Sequence, residues 1–137
     1  MLAAGAWLWL GAVTLAPHTV FPVGRFICHQ RPERSFFVMG KQMAVCARCT
    51  GLYAGAALTA PFALLALAPL ASSRARRLLA VAALPTALTW STEFLGVAHF
   101  TNMTRFVAAL PLGFAAAWLV FAAFAEPARA RVPPASR

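Results

Sequence analysis

Long apolar stretches separated by short polar breaks dominate this chain. Residues 2–22, 50–71, 78–99 and 105–125 each carry at most one charged side chain. A helix that crosses a bilayer needs about 20 mainly apolar residues, and all-round hydrophobicity without a polar face is what lipid demands of it. The pattern therefore predicts an all-α fold: a membrane helical bundle of about four transmembrane helices, built as one domain over 1–137. Pro61, Pro85 and Pro111 fall inside these stretches and predict kinks. The first stretch loosens at Pro17, His18 and Pro22, so three spans with a re-entrant or interfacial first segment are the alternative. A polar loop over 24–49 separates the first two stretches, and a basic tail covers 126–137.

Composition sharpens this picture. Hydrophobic residues make up 61% of the chain and charged residues 11%, against about 25% charged in a soluble domain. A water-soluble enzyme is excluded on that ground. The net charge is +9, but the basic residues stand singly or in threes. That spacing suits juxtamembrane flanks and gives no stripe for nucleic acid. The bilayer is thus the expected partner, and a prokaryotic cell membrane, crossed several times, the expected location. With four spans, six basic residues fall on each side, so the positive-inside count is a tie. The Arg74–Arg77 run and the tail favour cytoplasmic termini, which would place the 24–49 loop outside.

That loop holds all three cysteines, Cys28, Cys46 and Cys49, with His29 beside the first. Three thiols and an imidazole form a donor set for tetrahedral zinc, the Cys46-Ala47-Arg48-Cys49 knuckle being its strongest element. The same pair also reads as a dithiol, with Arg48 and the following helix N-terminus lowering a thiol pKa and Cys28 as resolving partner. Buried inert thiols are the third option. Residues 34–45 read as two extended runs around Met39-Gly40-Lys41, a hairpin that folds Cys28 back towards the pair.

The stretch Cys28-His29-Gln30-Arg31-Pro32-Glu33-Arg34-Ser35-Phe36, followed by Cys46-Ala47-Arg48-Cys49-Thr50-Gly51-Leu52-Tyr53-Ala54-Gly55, resembles a prokaryotic membrane-protein family called domain of unknown function 2085. The resemblance implies a compact helical membrane protein with a site on this loop, to which Arg34, Ser35, Arg48 and Tyr53 would belong. Downstream, Asn102 and Arg105 match the family pattern at the start of the last span. Glu93 stands near a family glutamine, and Thr89 replaces an aspartate. No reaction follows from the resemblance.

Glu93 lies in an otherwise apolar segment, where an ionised carboxylate needs a partner; Arg48, Arg34 and Arg105 are the candidates. His18 and His99 read as interfacial anchors, and Gly51 and Gly55 as a close-approach pair. The sequence thus predicts a small integral membrane protein whose Cys28, His29, Cys46 and Cys49 bind a zinc-like ion. The alternatives are a membrane thiol oxidoreductase using Cys46 and Cys49 with a quinone or protein disulfide, and a non-catalytic subunit of a larger membrane complex.

Overall fold

The computed structural model describes residues 2–15, 17–65 and 72–130. Its elements in order are α1 (Leu2–Leu15), α2 (Pro17–Gly24), a 3-10 turn (Pro32–Arg34), β1 (Ser35–Val38), β2 (Lys41–Cys46), α3 (Ala47–Leu65), α4 (Ser72–Phe94) and α5 (Asn102–Ala130). This corrects the four-span, all-α expectation in two ways. The polar loop folds into a genuine two-stranded antiparallel sheet. Among the described residues, moreover, a single helical stretch, Asn102–Ala123, is long and apolar enough to cross a membrane.

Each shortfall has a physical cause. The stretch 2–22 is divided between a 14-residue and an 8-residue helix; at 1.5 Å per residue α1 is about 21 Å long, short of the roughly 30 Å hydrocarbon core. Pro17 opens α2, where its missing N–H costs nothing. In α4, Thr86, Thr89, Ser91, Thr92 and Glu93 dilute the apolar run, and the helix starts among Arg74, Arg76 and Arg77. In α3, Thr50, Gly51, Gly55 and Thr59 do the same; the remainder of the expected 50–71 span, residues 66–71, lies outside the described residues. The expected tail is helical as far as Ala130.

Four of those diluting residues, Gly51, Gly55, Thr59 and Thr86, pack the helices. Gly51 and Gly55 of α3 lie so close to α5 that a Cβ would run into the carbonyls of Phe106 and Leu110, and Gly113 of α5 meets the Leu52 carbonyl in the same way. One turn further on, the Thr59 hydroxyl donates to the Phe114 carbonyl at 3.1 Å. Small residues at four-residue spacing thus bring two helix backbones together. Thr86 likewise ties α4 to α5, donating to the Ala108 carbonyl at 2.7 Å.

The hairpin is set by its turn and by a bulge. Met39 and Gly40 both have positive φ, 51° and 76°, the condition for the two-residue turn whose twist matches the strands. Val38 pairs with Lys41 and Phe37 with Gln42, but Ser35 pairs with Cys46. One residue of β1, Phe36, therefore faces three of β2, and those three, Met43, Ala44 and Val45, are buried in succession. They form a small core with Cys28, packed against Trp9, Leu10, Val20, Phe21 and Tyr53. The first two helices serve as a lid over the hairpin.

The α3–α5 contact gives a stability test. Gly55→Ala should cost about 1–3 kcal/mol through overpacking. Gly5→Ala, at a helical position with open space around it, should leave stability unchanged or raise it by up to about 1 kcal/mol, because alanine is the better helix former. Unfolding in neutral detergent reads both; equal effects would contradict the close approach.

Candidate functional site

Three segments converge on the cysteines. Cys28 follows α2 and is buried, Cys46 ends β2, and Cys49 lies in the first turn of α3. Their three sulfurs all lie within 4.8 Å of one another. The bulge in β2 carries Cys46 to the base of the hairpin, and the entry into α3 brings Cys49 round beside it. The other half depends on Gln30, held at φ 48°, an uncommon conformation for a residue with a side chain. Its amide over-determines that turn, donating to the Phe21 carbonyl at 2.8 Å and to the Ala44 carbonyl at 2.7 Å. Gln42 in turn donates to the Gln30 carbonyl at 2.7 Å.

The outcome is a polar cradle around one sulfur. The Cys46 N–H donates to Cys28 Sγ at 3.2 Å. The Cys46 and Cys49 thiols, helped by the backbone N–H groups of Gln30 and Cys46, hold the Cys28 thiol well below its ordinary pKa despite its burial. Those two thiols are pushed up in return, because each gives its hydrogen to Cys28 and is itself desolvated. The cluster thus favours the thiolate form of Cys28, the form that is nucleophilic and binds metal.

Behind the sulfurs stands an ion triad. Glu93 Oε2 accepts from Arg48 Nη2 at 2.5 Å and Glu93 Oε1 from Arg105 Nη2 at 2.6 Å. Oε1 also accepts from Arg105 Nε at 2.8 Å and from the Phe100 N–H at 3.3 Å. The glutamate side chain is only 4% exposed, so the charge is desolvated and depends on these donors. Arg105 extends the network through Asn102 Oδ1 at 2.7 Å, and Asn102 donates to the Ser35 carbonyl at 3.0 Å. The triad therefore joins α3, α4 and α5, and Asn102 carries it to the first residue of β1.

The residues singled out from the sequence divide by place. Cys28, Cys46, Cys49, His29, Arg34, Arg48 and Arg105 line one cavity of about 640 Å³. His29 is exposed and stands apart from the three-sulfur group. Glu93 and Asn102 lie behind the arginines. Ser35 is buried, donating to the Arg31 carbonyl at 2.8 Å, and Tyr53 packs edge-on against Trp9 at 5.9 Å. Thr89 bonds back to its own helix at Pro85 and Thr86. His99 is exposed; the His18 side chain lies outside the described residues. Sequence reasoning overlooked the structural part of Gln30 and Gln42, and the cavity wall of Leu52, Trp90 and Phe94. A lone amide in a polar loop carries no periodic signal, although Gln30 adjoins the Cys28-His29 pair.

Comparison with known proteins places this geometry in context. Residues 28–119 match the model of a family described as predicted membrane protein, domain of unknown function 2085. An uncharacterized protein of Methanothermobacter thermautotrophicus is 38% identical over 96 residues, covering 69% of this chain and 85% of the relative. One from Methanocaldococcus jannaschii is 33% identical over 112 residues, covering 78% of this chain and 69% of the relative. No solved structure matches.

The triad predicts strong coupling. Glu93→Gln should cost about 3–5 kcal/mol, since two guanidiniums are left without their carboxylate. Adding Arg48→Gln or Arg105→Gln to that variant should cost far less than either does alone in the wild type. A double-mutant cycle of unfolding in detergent measures this, and additive losses would dissolve the triad as a unit.

Proposed function

The chain belongs to this family of predicted membrane proteins, and from that premise we propose that its three thiols hold a zinc-like ion as a cross-link within the fold. The observation that carries the proposal is the convergence of Cys28, Cys46 and Cys49 within 4.8 Å. Sulfurs bound tetrahedrally to zinc at about 2.3 Å stand roughly 3.8 Å apart, so a small contraction of the cluster suffices. The donor set suits a soft or borderline cation, and the preference for thiolate at Cys28 suits a charged one. The N–H of Cys46, directed at Cys28 Sγ, is the kind of supporting donor that orients a metal ligand.

In this reading the ion pins the segment after α2, the end of β2 and the start of α3 to one point. Its attractive energy would come with folding, because the three thiols meet only in the folded chain. The fourth position faces the cavity, where His29 is the nearest donor in sequence. This assigns the loop a binding role and assigns no reaction.

Protein purified in neutral detergent without added chelator should contain close to one zinc per chain by elemental analysis. Cys28→Ser, Cys46→Ser and Cys49→Ser should each lower that content at least tenfold, and chelation should lower the unfolding temperature of the wild type only. Wild type that holds no metal and loses two titratable thiols on mild oxidation would replace the ion by the Cys46–Cys49 dithiol. Metal and thiol counts indifferent to all three substitutions would overturn the proposal.

A further inference from the structure

The cavity beside the sulfurs has a second, cationic wall that the metal reading leaves unused. Arg31, Arg34, Arg48 and Arg105 all line it. Glu93 is shared between Arg48 and Arg105. Glu33 lies 3.9 Å from Arg31, in a pair that is well exposed at both ends and therefore weak. The Arg34 side chain meets no carboxylate among the described residues. Arg48 Nε is buried and has no hydrogen-bond partner there, which costs free energy unless an acceptor arrives. Four guanidiniums face two carboxylates. Among these side chains the positive charges therefore outnumber the negative ones.

The opposite wall is apolar. Leu52, Trp90 and Phe94 line it, the two rings stacked with centroids 5.2 Å apart. Phe94 is 75% exposed, and Leu95 and Val97 continue the apolar surface beyond it. Arg105 is the fourth residue of α5, and the candidate span begins at Asn102. The cavity therefore lies at the end of that span, level with the zone that lipid head groups occupy.

From this arrangement we propose that the cavity binds an anionic amphiphile, a phosphate ester on an apolar tail. The phosphate would be gripped by Arg34 and Arg48, and the tail would leave along Trp90 and Phe94. Planar guanidiniums suit phosphate oxygens, and Arg48 would gain the acceptor it lacks. A volume of about 640 Å³ holds a head group and the first part of one chain, within the usual range for small-molecule sites. The inference goes beyond the metal reading and needs no ion at the sulfurs.

The test is calorimetric titration of the full chain in neutral maltoside detergent with three probes: dodecyl phosphate, glycerol phosphate and dodecyl trimethylammonium. Dodecyl phosphate should bind at least tenfold more tightly than either of the others. Arg34→Gln should weaken it tenfold or more, and Phe94→Ser about threefold or more while leaving glycerol phosphate unchanged. Both substitutions sit at accessible positions with no other polar partner, so folding, checked by the unfolding temperature, should survive. Equal binding of glycerol phosphate would reassign the site to a soluble phosphate and overturn the amphiphile. Equal binding of the cationic detergent, or no change in Arg34→Gln, would overturn the anion site. Zinc-free wild type that still binds dodecyl phosphate would leave this inference standing while removing the metal reading.

Discussion

The arrangement of this protein depends on a buried carboxylate held between two guanidiniums. Glu93 closes α4, Arg48 opens α3 and Arg105 opens α5. The bonds among them fix where three helix ends meet. The sulfur cluster inherits that position, because Arg48 lies between Cys46 and Cys49. The charge balance makes the arrangement specific. One carboxylate divided between two cations leaves the meeting point net positive, and every group that faces the cavity feels that field.

The glycine contacts do the complementary work at a distance. They set α3 against α5 over two turns and so fix the direction in which Arg48 and Cys49 point. A helix pair spaced by large side chains would stand further apart, and the arginines of the two helices would no longer reach one acid. Close backbone approach and the ion triad are thus two ends of a single constraint.

The sequence made the local chemistry legible and the global architecture much less so. Clustered cysteines, a turn glycine and two arginines near an isolated acid each carry a short-range signal. The Glu93 partners followed from the cost of an unpaired charge in apolar surroundings. The number of spans did not follow, because counting uncharged residues ignores what Thr86, Thr89, Gly51, Gly55 and Thr59 do to a helix's affinity for lipid. They are uncharged, so the charge-free runs looked continuous. The division of the first stretch into two helices turns on Pro17, which opens α2, and in the bare sequence a proline marks a loosened run and a new helix start alike. Gln30 and its positive φ had no sequence signature apart from their neighbours.

The bulge in β2 has a mechanical consequence. Regular pairing at the tip, Val38 with Lys41 and Phe37 with Gln42, is interrupted before it resumes at Ser35 and Cys46. Between the two paired zones Met43, Ala44 and Val45 are buried in succession against Cys28. The Ala44 carbonyl and the Gln42 amide both hold Gln30. A close-packed segment of this kind transmits strain, so a displacement of the exposed tip at Met39 and Gly40 is felt at the turn that places Cys28. The hairpin is a lever whose short arm ends at the sulfurs.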